Sequence, residues 1–126
     1  MKQITLLVDG GMHGLNPGGR LYSSYAFNDI KETVEYGIAG TNNEAEYLAL
    51  IQGVSAVINE FGDVSGIDLM VKTDSELVRL QVLGVWRIHK QHLLEPCRLA
   101  RSLLANFANW RIEHVPRDEV VAVLGH

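Results

Sequence analysis

Ile4-Thr5-Leu6-Leu7-Val8-Asp9-Gly10-Gly11 is the stretch on which the reading of the chain turns. A short aliphatic run bounded by glycines is the pattern of a buried strand. This one runs straight into an acid, Asp9. The pattern returns at Ile67-Asp68-Leu69-Met70-Val71, which runs into Asp74. If the two strands are parallel neighbours, both acids lie at one sheet edge, where open α/β sheets bind their ligands.

The intervening segments fit such a sheet. Gly10 to Gly19 holds five glycines and Asn16-Pro17, and is expected to be a loop. Leu21 to Phe27 and Thr33 to Ile38, broken at Asn28-Asp29, predict a hairpin. Thr41-Asn42-Asn43-Glu44 opens a helix in which Tyr47, Leu50, Val54, Val57 and Phe61 mark one buried face, and Gly62 stops it. Ser75 to Leu83 reads as a short helix. Leu93 to Phe107 reads as another, with Leu93, Cys97, Ala100, Leu103, Leu104 and Phe107 inward and Pro96 confined to its first turn. Trp110 to His114 alternates as a strand, Pro116 ends it, and Asp118 to Leu124 gives a last short helix. The order β-β-β-α-β-α-α-β-α predicts an α/β fold in one domain, residues 1–126: a mixed five-stranded sheet with helices on both faces.

At 126 residues and 47 % hydrophobic, the chain can build one sizeable core. No apolar run is long enough to span a membrane, and an acid at position 9 interrupts what a signal peptide would need. The lone Cys97 excludes an intrachain disulfide and suits a reducing cytoplasm. Net charge is −4, unevenly spread: Leu77 to Ile112 carries six basic residues (Arg79, Arg87, Lys90, Arg98, Arg101, Arg111) and one acid, Glu95, hence +5 beside a −9 remainder. That asymmetry fits a phosphate-facing surface next to an acidic one; solvated helix arginines would produce the same count.

Carboxylates gathered at one point repel unless a hard cation neutralises them, and oxygen-only ligands select Mg²⁺ or Mn²⁺. Two such ions can activate a water and stabilise the leaving oxygen of a phosphodiester. Asp9, Asp74 and an acid from the Thr41 helix are the candidates. Each has a structural alternative: Asp9 as a turn residue, Asp74 as a helix N-cap, Glu44 as the partner in a Thr41-x-x-Glu44 capping box. The capping role is assigned to Glu44, which leaves Glu46 to face the sheet edge.

Five blocks then carry a resemblance over essentially the whole chain. Asp9-Gly10-Gly11 with Gly14-Leu15-Asn16-Pro17-Gly18-Gly19 resembles the opening strand and glycine loop of type 1 ribonucleases H. Thr41 to Leu50 is similar to their first long helix, and Thr73-Asp74-Ser75-Glu76-Leu77-Val78 to their second catalytic strand end. Val85 to Lys90 followed by Leu93-Leu94-Glu95-Pro96 resembles the connection of compact members without the extra basic helix. His114 to Glu119 resembles the approach to the last helix. The resemblance implies a metal-dependent endonuclease, using Mg²⁺ with Mn²⁺ as substitute, that cuts the RNA strand of RNA–DNA hybrids as a monomer. It implies Asp9, Glu46 and Asp74 as metal-binding catalytic carboxylates. Asn16, Asn43 and the loop backbone would meet the RNA strand at its 2′-hydroxyls, with Gly10, Gly11 and Asn42 also in the nucleic-acid site. Trp86, Arg87 and Lys90 would line the DNA strand's phosphates, with Trp86 equally suited to a partly buried core position. His13 could touch phosphate, whereas His89 and His92 are expected to be solvated.

The pattern breaks at the end. The family takes a fourth carboxylate from its last helix, and here Val123 stands at the position assigned to it. Asp118 or Glu119 could substitute as a metal ligand, water could fill the place, or the domain could bind hybrid without cutting it. Their other role is to favour the helix dipole from the first turn. An actin-like phosphotransferase would need a second glycine-rich phosphate loop and greater length. A four-carboxylate proofreading exonuclease would lack the Thr-Asn-Asn block.

Overall fold

A computed structural model describes residues 1–15 and 18–125. Five strands, β1 (Lys2–His13), β2 (Arg20–Phe27), β3 (Ile30–Ala39), β4 (Ile67–Thr73) and β5 (Asn109–His114), form one mixed sheet in the order β3-β2-β1-β4-β5. β1 pairs with β2 and β2 with β3 antiparallel; β1 with β4 and β4 with β5 run parallel. The helices are α1 (Asn42–Phe61), α2 (Glu76–Val82), α3 (Leu94–Leu104) and α4 (Arg117–Leu124).

Side-chain alternation along β1 divides the core. Ile4, Leu6 and Val8 join the main cluster with Tyr47, Leu50, Val54 and Val57 of α1. Leu7 points to the other face and packs with Val115, Val120 and Leu124 beneath α4. Asp9 follows Leu7 by two residues and so shares the α4 face, while Gly10 shares the face of α1. The helices thus lie on both faces, as their order implied.

Several boundaries differ from the sequence reading, and β3 begins at Ile30 rather than Thr33, directly after the Asn28-Asp29 break. β1 continues through the glycines to His13, because Gly10 to His13 pair with Ser23 to Arg20 of β2. A main-chain ladder needs no particular side chain, so the glycine-rich composition concealed strand here. α3 starts at Leu94, after a 3₁₀ turn over Gln91–Leu93, and stops at Leu104. Asn106 closes it by donating from Nδ2 to the carbonyls of Ser102 and Leu103, while Phe107 stays buried.

The start of α1 matters most for the site. Thr41 Oγ1 accepts from the Glu44 N–H, and Glu44 Oε1 accepts from the Thr41 N–H, a complete capping box. Gly62 closes the helix at a positive φ of 72°. At its amino end, α1 rests directly on Gly10: any side chain there would run into the Ala45 carbonyl.

Candidate metal centre

Three elements deliver one acid each to the same point. The β1–β4 ladder ends at the pair Leu7–Lys72, so Asp9 and Asp74 project beyond the parallel part of the sheet. α1 brings Glu46 over Gly10, whose N–H donates to Glu46 Oε1 at 2.5 Å. One oxygen from each of Asp9, Glu46 and Asp74 lies within 4.8 Å of the others. Asp9 is 1 % exposed and Glu46 7 %. Ser75, not Asp74, caps α2 by accepting from the Val78 N–H, so Asp74 has no capping duty.

Buried acids this close cannot all stay ionised unaided. At roughly 5 Å and an effective dielectric near 20, each charged pair repels by about 3 kcal/mol. Burial first, then the charge of Asp74, push the Glu46 carboxyl up to about 9; the Gly10 N–H offsets this only in part. Among the described residues, Asp74 Oδ1 is buried with no hydrogen-bond donor. A hard divalent cation would both neutralise the group and satisfy that oxygen, so this oxygen-only donor set fits one.

The cluster already holds a cation of its own. Arg117, the first residue of α4, donates from Nη1 to Asp9 Oδ1 at 2.8 Å and to Asp74 Oδ2 at 3.0 Å. Burial opposes its charge, but the two carboxylates outweigh that and raise its pKa. Sequence reasoning gave Arg117 no role. It is a single basic residue outside the basic segment, 108 positions from Asp9, and no periodicity links them. Tyr22 was likewise not singled out. It pairs with Gly11 across the β1–β2 ladder, borders the acidic cleft and stacks on His13 with ring centroids 4.8 Å apart. Burial, then the nearby charge of Asp9, raise its pKa.

The acids expected from α4 do not arrive. Glu119 faces Lys72 at 3.8 Å, and neither it nor Asp118 belongs to the carboxylate group. Val123 is 46 % exposed and borders Thr5, Ala26, Asn28 and Lys72 rather than the cluster. The inward face of α4 is apolar, Val120 and Leu124 packing on Leu7 and Val115. Where an anion was expected, the last helix supplies a guanidinium.

The expected nucleic-acid residues fall around two adjoining clefts. Gly10, Gly11 and Asn42 line the acidic cleft of about 440 Å³. Asn43, next along α1, lines a second of about 520 Å³ with Trp86, Arg87, His89 and Lys90. Trp86 is about half exposed, which leaves its ring available rather than in the core. Four of the six basic residues in the Leu77–Ile112 segment are engaged elsewhere. Arg79 binds Glu76, Arg98 binds Glu95, Arg111 faces Asp68, and Arg101 donates to the Gln81 and Val82 carbonyls. Arg87 and Lys90 are exposed beside Trp86. His13 sits against Glu35 at 3.2 Å. Asn16 lies outside the described residues.

A family model described as Reverse transcriptase-like matches residues 31–123. The solved RNase H1 of the halophilic archaeon Halobacterium salinarum NRC-1 is 32 % identical, with a TM-score of 0.82 over 94 % of this chain and 89 % of that one. The Ribonuclease HI of Halobacterium salinarum is 40 % identical over 77 residues, 61 % of this chain and 37 % of that protein. The protein named Bifunctional protein Rv2228c, from Mycobacterium tuberculosis, is 31 % identical over 120 residues, 91 % of this chain and 32 % of its own length. Five mixed strands with helices on both faces are the ribonuclease H fold. The chain belongs to the type 1 ribonuclease H family. It spans about a third of the length of the curated relatives it matches. No helix among the described residues is long and apolar enough to cross a membrane.

Proposed function

We propose that the chain is a ribonuclease H endonuclease that hydrolyses the RNA strand of RNA–DNA hybrids, with Asp9, Glu46 and Asp74 holding Mg²⁺, or Mn²⁺ in its place. The observation that carries this reading is the convergence of three carboxylates, from β1, α1 and the end of β4, within 4.8 Å. A pair of bound ions would activate the attacking water and stabilise the leaving oxygen. The residues of the chain do the rest. Gly10 fixes the Glu46 carboxylate through its N–H, and the absence of a side chain at Gly10 lets α1 come close enough. Asn42 and Asn43 present amides at the first turn of α1, suited to the 2′-hydroxyls that separate RNA from DNA. Trp86, Arg87 and Lys90 offer the phosphates of the other strand a ring and two cations, giving affinity without sequence preference. The buried, lone Cys97 suits a reducing cytoplasm.

A second reading, hybrid binding with weakened or absent cleavage, is favoured by one observation: α4 contributes Arg117 and no carboxylate to the cluster. Incubating purified protein with a labelled hybrid in Mg²⁺ and in Mn²⁺ distinguishes the two. Cleavage supports the nuclease; binding without cleavage supports the second reading.

A further inference from the structure

We propose that Arg117 is an internal counter-ion of the acidic cluster, which a divalent cation must displace in order to bind. The proposal rests on Asp9, Glu46 and Asp74 being the metal ligands. A single nitrogen, Nη1, serves both Asp9 Oδ1 and Asp74 Oδ2, so the guanidinium already sits between the two carboxylates whose charge an ion would need. Mg²⁺ bonds carboxylate oxygens at about 2.0–2.1 Å, and a second positive charge held on the same two carboxylates is repelled at such short range. Arg117 and the ion therefore exclude one another.

The surroundings let Arg117 act in this way. Its side chain is 51 % exposed, so it can leave towards solvent. It occupies the first turn of α4, whose N-cap, Pro116, makes no side-chain capping bond. The helix is held instead by Val120 and Leu124, one and two turns on, buried with Leu7 and Val115. Withdrawal of the side chain thus leaves the apolar anchor in place. Without metal, Arg117 supplies the positive charge that Asp9 and Asp74 need; with metal, its charge turns from these two acids to the rim of the cleft.

The test is Mn²⁺ binding by calorimetry, with thermal midpoints in chelator and in saturating Mn²⁺, for the parent, Arg117→Gln, Arg117→Lys and Asp74→Asn. Removing the competitor should tighten Mn²⁺ binding to Arg117→Gln by about tenfold, since charge-assisted bonds to carboxylates are the strong ones. The same variant should melt lower than the parent in chelator and draw level in Mn²⁺, because binding to the folded state alone stabilises it. Arg117→Lys keeps the charge and the fold but bridges less well, and should bind about threefold tighter than the parent. It carries the affinity comparison should Arg117→Gln fail to fold without metal. Affinities in Arg117→Gln or Arg117→Lys equal to or weaker than the parent's, with parent binding lost in Asp74→Asn, would overturn the counter-ion and leave the metal site standing. Parent and variants that bind no Mn²⁺, or bind it indifferently to Asp74→Asn, would overturn the metal reading and this proposal with it.

Discussion

The Gly10 N–H donates to Glu46 Oε1 at 2.5 Å, tying the first turns of α1 to the middle of β1. The same glycine lets the helix approach, because a Cβ there would meet the Ala45 carbonyl. Gly10→Ala must therefore push α1 off the sheet, where neither backbone can yield cheaply. We expect a loss of about 3 kcal/mol, near the upper end for overpacking. A fall in melting midpoint of roughly 10 °C in a domain of this size would accompany it. Activity should fall as well, since Glu46 moves with the helix. A variant with the parent's midpoint would show that the approach is looser than described.

Glu46 makes the metal-free protein sensitive to pH. Its carboxyl titrates near 9 when folded, against an ordinary value of 4.5. Across that interval the folded state retains a proton that the unfolded state has lost, so stability declines as pH rises. The decline begins near 4.5, continues towards 9, and is bounded by about 1.4 kcal/mol per pH unit. Melting in chelator between pH 5 and 9 should show the fall, and Glu46→Gln, which still accepts from Gly10, should flatten it. Equal slopes in parent and variant would assign the dependence to other groups.

Much of this site was legible because its signals are local. Asp9 and Asp74 close aliphatic runs, and Thr41-x-x-Glu44 is a capping box that frees Glu46 by its position on the helix. The elements of the fold were legible for the same reason, since hydrophobic period and glycine or proline stops act over a few residues. What escaped depends on contacts between distant segments. The β1–β2 ladder carries strand through Gly10 and Gly11 irrespective of composition. Arg117 acquires its role only when α4 docks on the face of the sheet that carries Leu7 and Asp9. Val123 was placed by the resemblance, and Asp118 or Glu119 offered as a substitute beside it, whereas the rotation of α4 is determined only by the packing of Val120 and Leu124.

That rotation has a direct consequence. Val123→Asp puts a carboxylate on the exposed side of α4, away from the cluster. It should leave hybrid cleavage and Mg²⁺ dependence within about twofold of the parent, and stability within roughly 0.5 kcal/mol, as for other surface changes. A marked gain in activity at low Mg²⁺ would mean that α4 turns its Val123 face inward when metal is bound.

Hybrid affinity should fall steeply with salt if the second cleft meets phosphates. Arg87 and Lys90 are its two cations. Replacing both with alanine should reduce the slope of log affinity against log salt by about two, near one per cation. Fluorescence anisotropy in calcium, between low and physiological salt, provides the slope. If it is unchanged, the phosphates lie elsewhere.

Cleavage of a hybrid by the parent chain, set beside Asp74→Asn, tests the central claim most directly. Ser75 already caps α2, so this substitution removes a carboxylate charge without removing a cap. The parent should cut the RNA strand of a labelled hybrid in Mg²⁺ or Mn²⁺ and spare single-stranded RNA and duplex DNA. Asp74→Asn should remain folded and lose more than about a hundredfold in rate, exceeding the usual cost of changing a residue behind a metal ligand. A parent that binds hybrid but cuts none in either metal, or a folded Asp74→Asn that cuts as fast as the parent, would contradict the account.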